Sequence, residues 1–156
     1  SRTGEWTTSD ALARLLITAI RLRRAPDIDT AVSFLSVDFL ARAMAILADR
    51  EVVIGTVYEY PVGFVAFRDV IEELRALGEP IEVWPARRWQ EEALFGTDDI
   101  RHRDVAPVIA FGAQPPSRPT VRSEAVNGLL AAGVELPSLQ ALLERYVSWF
   151  RSLGLA

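Results

Sequence analysis

The sequence predicts an α+β domain that is mostly helical and contains a small parallel sheet. Four stretches have apolar residues three and four positions apart, which is typical of helices with one buried face. These stretches are 12–22, 37–47, 67–77 and 139–150. Two short runs, 52–58 and 81–84, are rich in β-branched or aromatic residues and predict strands. Because a helical stretch joins these two runs, we expect them to pair in parallel.

The predicted helices are bounded by residues that cap helix ends. Thr8 or Ser9 is placed to cap the first helix, which is expected to end before the Ala-Pro pair at 25–26. Ser36 occupies the N-cap position of the second helix, ahead of an acid in the first turn. Gly78 is expected to end the third helix in the left-handed conformation that glycine adopts readily.

The second half of the sequence predicts more helix and one polar connection. A helix is predicted for 87–95, and the polar stretch "GTDDIRHRD" that follows predicts a mobile loop at 96–104. A further helix is predicted for 123–133. The last helix is expected to begin after Ser138 and to end at Gly154.

Composition excludes several classes of protein. A length of 156 residues suits one domain, and no apolar run is long enough for a membrane span, so we expect a soluble, cytoplasmic protein without a membrane partner. The net charge of -4 argues against nucleic-acid binding. The chain has no cysteine, and all 17 of its Lys-or-Arg positions are arginine. The absence of lysine excludes a P-loop, a Schiff base and the Tyr-x-x-x-Lys pair of reductases.

The sequence predicts no catalytic, cofactor-binding or metal-binding residue. His102 is the single histidine and lies in the polar stretch, where a solvated side chain is expected. The nearby acids Asp98, Asp99 and Asp104 lack the spacing of metal ligands. No glycine-rich dinucleotide loop follows a predicted strand.

Two other features have a structural and a functional interpretation. Arg21, Arg23 and Arg24 lie near the end of the first helix, where they complement the helix dipole or form a docking patch for an acidic partner. Trp6 lies in a polar segment, where it either caps a core or lines a groove.

Several pieces of the chain occur in the order of a known family. They resemble the C-terminal half of the thioester reductase domains that end nonribosomal peptide synthetases, polyketide synthases and carboxylic acid reductases, which are extended short-chain dehydrogenase/reductases. The matching pieces are a loop at 1–4, the helix start at 36–40, the strand and turn at 58–62, and "LAAG" at 130–133 before the final helix. The chain departs from the family at Ser36, at Phe39 and at the Glu59-Tyr60 turn.

This resemblance implies a fold whose two halves have different functions. The chain would be the substrate-binding or lid subdomain, residues 1–156, of an extended reductase fold whose Rossmann half is absent. That missing N-terminal half would bind NADPH and carry the Tyr-Lys pair, so the chain alone is expected to be inactive and to hold no cofactor. The partners implied are that half, a phosphopantetheinylated carrier protein and its acyl or peptidyl thioester, which is released as an aldehyde or alcohol.

The resemblance also suggests which residues face the substrate. Trp6, Leu12, Leu16 and Phe34 would line an apolar groove, and Arg2 would lie near the carbonyl end of the substrate. The arginines at 21, 23 and 24 would then dock the carrier protein.

Other functions remain open at this point. The chain could be a self-contained binding or interaction module, or the corresponding half of a sugar-nucleotide epimerase or fatty acyl-CoA reductase. A helical DNA-binding regulator is disfavoured by the negative net charge.

Overall fold

The computed structural model describes residues 4–7, 10–34, 36–48, 64–95, 131, 133 and 137–156. Within these residues lie five helices and four short strands. In chain order they are α1 (Ala11–Leu22), β1 (Arg24–Asp27), β2 (Ala31–Ser33), α2 (Val37–Ala48), β3 (Phe64–Ala66), α3 (Phe67–Ala76), β4 (Glu82–Pro85), α4 (Ala86–Phe95) and α5 (Leu139–Ser152). The predicted fold class, mostly helical with a small parallel sheet, is confirmed. The predicted strand 52–58, loop 96–104 and most of the helix 123–133 fall outside the described residues.

Helix α1 begins at Ala11, one residue later than it would with Ser9 as its N-cap. The carboxylate of Asp10 accepts hydrogen bonds from the backbone N–H groups of Leu12, at 2.9 Å, and Ala13, at 3.1 Å. The prediction of Thr8 or Ser9 as N-cap is therefore wrong. Aspartate caps a helix at least as well as serine or threonine, and Asp10 is the residue whose oxygen reaches these amides.

Three predicted helix boundaries, at Ser36, Gly78 and Ser138, are confirmed. The Ser36 hydroxyl accepts a hydrogen bond from the Phe39 N–H at 3.3 Å, and the Ser138 hydroxyl accepts one from Ala141 at 3.2 Å. Gly78 follows α3 with a φ of +93°, the left-handed conformation expected there.

In the described part of the chain, the predicted strand at 81–84 pairs in parallel with a strand that the sequence did not predict. β4 pairs with β1, with Arg24 opposite Glu82 and Asp27 opposite Pro85. The Ala-Pro pair at 25–26 predicts the end of a helix, and proline disfavours a strand, so the sequence does not predict β1. Proline is nevertheless accommodated in this short strand. A second, antiparallel pair joins β2 to β3.

The core lies between α1, α3 and α5, with Trp89 of α4 at one side. The largest fully buried side chains include Trp89, Phe67 and Phe150. The Trp89 indole N–H donates a hydrogen bond of 2.6 Å to the Arg24 carbonyl, so α4 is tied to β1. None of the described helices has both the length and the apolar character that a membrane span requires.

Candidate functional site

The segment 4–7 is held against α5 by a glycine. Gly4 has a φ of +78°, and a Cβ built on it would lie 2.4 Å from the Arg145 carbonyl oxygen. Only glycine permits both this conformation and this close approach. The contact places Trp6, two residues further on, beside the side chains of the last helix.

Trp6 is the centre of an aromatic cluster that joins three parts of the chain. Its ring centroid lies 4.6 Å from that of Tyr146, 5.9 Å from Phe34 and 6.2 Å from Phe150. Phe34 and Tyr146 stack on each other at 6.4 Å. These distances are in the range of favourable aromatic pairs. The N-terminal segment, the connection before α2 and helix α5 therefore meet at one point.

A pocket of about 310 Å³ opens beside this cluster. Aromatic and aliphatic groups form its walls, and hydroxyl and carboxylate groups lie among them. The lining residues are Glu5, Trp6, Asp10, Leu12, Ser33, Phe34, Ser36, Val37 and Tyr146. An apolar cavity with a few polar groups is the usual form of a small-molecule site.

The surroundings of the Tyr146 hydroxyl raise its pKa. Burial raises the pKa of the phenol above its ordinary value of 10.0, and the negative charge of Asp38 raises the pKa further. The positive charge of Arg145 acts in the opposite direction. A tyrosine with its ordinary pKa is already neutral at pH 7, so Tyr146 can donate a hydrogen bond there with or without this shift.

The structure brings together three of the five residues expected to face the substrate. Trp6, Leu12 and Phe34 line the pocket. Leu16 is 1% exposed and belongs to the core, and it is absent from the pocket lining. Arg2 lies outside the described residues. Trp6 both packs on the core and lines the pocket, so the two interpretations of this residue are compatible.

Sequence reasoning missed the polar groups of the pocket. Tyr146 was interpreted only as part of a buried helix face, and Ser36 only as a helix cap. The hydroxyl of Tyr146 could have identified it as a polar group of the site. The apolar helix face that it shares with Leu139, Leu142 and Phe150 has no need of a hydroxyl for packing.

The three arginines of the predicted docking patch have different surroundings. Arg21 and Arg23 are exposed. Arg24 is partly buried: its guanidinium pairs with Glu92 at 2.7 Å and lies 4.1 Å from the ring centroid of Trp84. Arg24 thus helps to attach α4 to the sheet, and the exposed part of the patch is formed by Arg21 and Arg23.

Comparisons with known proteins identify solved structures that share this fold. No family model and no curated protein matches the chain. The solved structure of the terminal R domain from the myxalamid polyketide synthase–nonribosomal peptide synthetase pathway matches 99% of the chain with a TM-score of 0.80 and 26% identity. The predicted resemblance to terminal reductase domains is confirmed.

Two further reductase structures share the fold. A thiolation-reductase di-domain of an archaeal nonribosomal peptide synthetase has a TM-score of 0.73, with 13% identity over 98% of the chain. The reductase domain of a nonribosomal peptide synthetase from Mycobacterium tuberculosis has a TM-score of 0.66, with 21% identity over 99%. The chain spans 41%, 34% and 43% of the three solved chains, so the similarity covers less than half of each of them.

The chain's own residues do not fit a dinucleotide cofactor. The sequence has no glycine-rich loop between a strand and a helix, and it has no lysine. Among the described residues, no group of three or more acids or histidines is placed to hold a metal ion. The pocket beside Trp6 is a candidate ligand site.

Proposed function

We propose that this chain is the substrate-binding part of an NADPH-dependent thioester reductase, which releases a carrier-bound acyl or peptidyl chain as an aldehyde or alcohol. The observation that carries the proposal is the match of nearly the whole chain to a terminal R domain, at a TM-score of 0.80. The pocket of about 310 Å³ supports the proposal, because apolar cavities with a few polar groups commonly bind small molecules.

The proposal divides the reaction between two halves of a domain. NADPH in a nucleotide-binding half outside this chain would supply the hydride to the thioester carbonyl carbon, with loss of the carrier thiol. The residues of this chain would hold the acyl portion next to that half. Trp6 and Phe34 provide apolar walls for it and keep water away from the reacting end.

The carrier protein would dock near the end of α1. Arg21 and Arg23 are exposed there and offer positive charge to an acidic partner surface. Complementary charge mainly speeds association and fixes orientation. Arg23 is the better test position, because Arg24 already pairs with Glu92.

Calorimetric titration of the chain tests the proposal directly. A phosphopantetheinylated carrier protein loaded with an acyl thioester is expected to bind, whereas NADPH is not. Arg23→Glu should weaken carrier binding by about tenfold at low salt. The matched control is Arg42→Glu on α2, also exposed, which should change binding little. Equal losses in both variants, or no binding of the loaded carrier, would contradict the proposed function.

Turnover provides a second test. The chain alone should not oxidise NADPH in the presence of the loaded carrier. A chimera in which it replaces the corresponding part of the myxalamid R domain should release an aldehyde or alcohol, measured by mass spectrometry. A correctly folded chimera that binds NADPH but releases no product would also argue against the proposal.

A further inference from the structure

Helix α2 exposes an apolar face. Val37 is 73% exposed and Met44 is 61% exposed, and Ala41 and Ala45 are exposed as well. These four residues follow one another at i, i+4, i+7 and i+8, which places them on one side of the helix. We call them the α2 stripe. The charged residues of α2 lie outside this series.

The opposite side of α2 is apolar too, and it is the side that the protein buries. Phe39 is 3% exposed and Ala43 is fully buried. The spacing of Val37, Leu40 and Met44 in the sequence predicts a buried face, yet Val37 and Met44 are exposed. A helix that is apolar on all sides is normally buried on all sides. Within the described part of the chain, the stripe is therefore a face without a covering partner.

The outward faces of two other helices are different. α3 and α5 expose charged side chains, among them Arg68, Glu72, Glu144 and Arg151. Such polar faces are typical of helices that border water, whereas an apolar face exposed to water usually marks an interaction surface. Of these three helices, α2 is the one whose exposed face is suited to contact with another protein surface.

The position of the stripe beside the pocket indicates what covers it. Val37 is both the first residue of the stripe and a lining residue of the pocket beside Trp6. In the proposed reaction, NADPH must approach the thioester carbonyl closely, because reacting atoms need to lie about 3–3.5 Å apart. The half that holds NADPH must therefore border the pocket. A surface that covers Val37 continues along the helix onto Ala41 and Met44, which lie one and two turns further on.

The remainder of a reductase domain is large enough to cover this face. The chain spans 41% of the solved myxalamid R domain, so more than half of that domain lies outside the match. A second copy of this chain on the stripe would bring no glycine-rich dinucleotide loop, and it would occupy the side of the pocket that NADPH must reach. We propose that the α2 stripe is the surface on which the nucleotide-binding half docks. This inference rests on the proposed function and specifies the contact between its two halves.

Introduced cysteines test this inference, because the chain has no cysteine of its own. Met44→Cys places a thiol in the stripe, and Arg42→Cys places one at an exposed position of α2 outside it. Each variant is labelled with a maleimide in the 156-residue chain and in the chimera that contains the nucleotide-binding part of the myxalamid R domain. Peptide mass spectrometry measures the labelling rate at each position.

The two thiols should respond differently to the nucleotide-binding part. We expect the Met44→Cys thiol to react about tenfold more slowly in the chimera than in the 156-residue chain, because a thiol inside an interface reacts only when the interface opens. The Arg42→Cys thiol should change by less than about twofold. NADPH binding checks that the chimera is folded. If it is not, the reductase domain from Mycobacterium tuberculosis supplies a second scaffold.

A charge placed in the stripe provides an independent measurement. Met44→Glu should leave the urea midpoint of the 156-residue chain unchanged, because the side chain is exposed there. In the chimera it should lower the unfolding temperature by about 4 °C or more, because the carboxylate is buried in the interface. Arg42→Glu should change neither quantity.

Three labelling results would overturn the inference. They are a Met44→Cys thiol that reacts equally fast in the chain and the chimera, equal protection of both thiols in the chimera, and a Met44→Cys thiol already protected in the 156-residue chain. The last result would mean that this chain or a second copy of it covers the stripe.

Carrier binding and product release test the proposed function separately. If the chimera releases product while the Met44→Cys thiol stays reactive, only the docking surface is wrong. If the thiol is protected but the loaded carrier does not bind and no product is released, the reductase proposal fails and the docking surface stands.

Discussion

Replacing Gly4 with alanine tests how the N-terminal segment holds Trp6 over the pocket. The left-handed conformation at this position costs a non-glycine residue about 1 kcal/mol. The added Cβ would also lie 2.4 Å from the Arg145 carbonyl oxygen and 2.8 Å from its carbonyl carbon. These are backbone atoms of α5, which cannot move without disturbing the helix. The segment must therefore lift, and Trp6 loses part of its contact with the aromatic cluster.

The magnitude follows from the contacts that are lost. Trp6 forms ring pairs with Phe34, Tyr146 and Phe150, and each aromatic pair contributes about 0.5–1.5 kcal/mol beyond simple burial. The cost of the left-handed backbone adds to the loss of part of these ring contacts. We therefore expect Gly4→Ala to reduce the free energy of unfolding by about 2–4 kcal/mol. Urea denaturation followed by circular dichroism measures this loss. Tryptophan fluorescence reports the accompanying exposure of an indole.

Gly78→Ala is the matched control. Gly78 has a φ of +93°, but nothing lies within 4 Å of a Cβ built there. It should therefore show strain alone, about 1 kcal/mol. If the two glycine variants lose the same stability, the close approach to α5 contributes nothing and the reasoning about the segment is refuted.

Three further predictions use single side chains. Asp10→Ala should cost about 1 kcal/mol of stability, because two N–H groups at the start of α1 lose their acceptor, and an unchanged urea midpoint would contradict this. Thr18→Val should raise the urea midpoint, since it removes a buried hydroxyl without a partner, and a lower midpoint would show that the hydroxyl is used. The pKa of Tyr146 is higher in the folded than in the unfolded state, so the contribution of this group to stability should be constant below about pH 9 and be lost as pH rises past about 10. Tyr146→Phe should show a smaller fall over this interval, measured by urea denaturation at each pH; an identical fall would contradict the pKa shift.

The change in stability at alkaline pH can be assigned to few side chains in this protein. It has no lysine and no cysteine, so its three tyrosines are the only side chains expected to titrate near pH 10. A difference between wild type and Tyr146→Phe in this interval can therefore be assigned to one phenol.

Capping residues and helical periodicity made most of the fold predictable. Ser36, Gly78 and Ser138 act at the positions expected of them, because capping depends on short-range hydrogen bonds and backbone geometry. Strand pairing was less predictable. The parallel partner of β4 lies more than 50 residues away in the chain and contains a proline, and its place is fixed by tertiary contacts such as the Trp89 hydrogen bond to Arg24.

The candidate site was predictable only in part, for a related reason. The resemblance to reductases directed attention to Trp6 and Phe34, and both line the pocket. It gave no reason to separate Leu12, at the pocket, from Leu16, in the core, because one helical turn decides between the two environments. Tyr146 lies 140 residues after Trp6, and no local pattern reveals that their rings are 4.6 Å apart.

The double role of Trp6 links folding of the N-terminal segment to binding. The same indole packs on Tyr146 and lines the pocket, so a ligand that contacts it binds the docked segment better than the lifted one. By thermodynamic linkage, the factor by which a ligand favours docking equals the factor by which docking increases affinity. Gly4→Ala must then weaken the binding of a ligand that contacts Trp6 in the pocket, although Gly4 is not a lining residue of the pocket. The apparent affinity of the variant is reduced by the fraction of its free molecules in which the segment is docked, and saturating ligand returns the segment to the docked state.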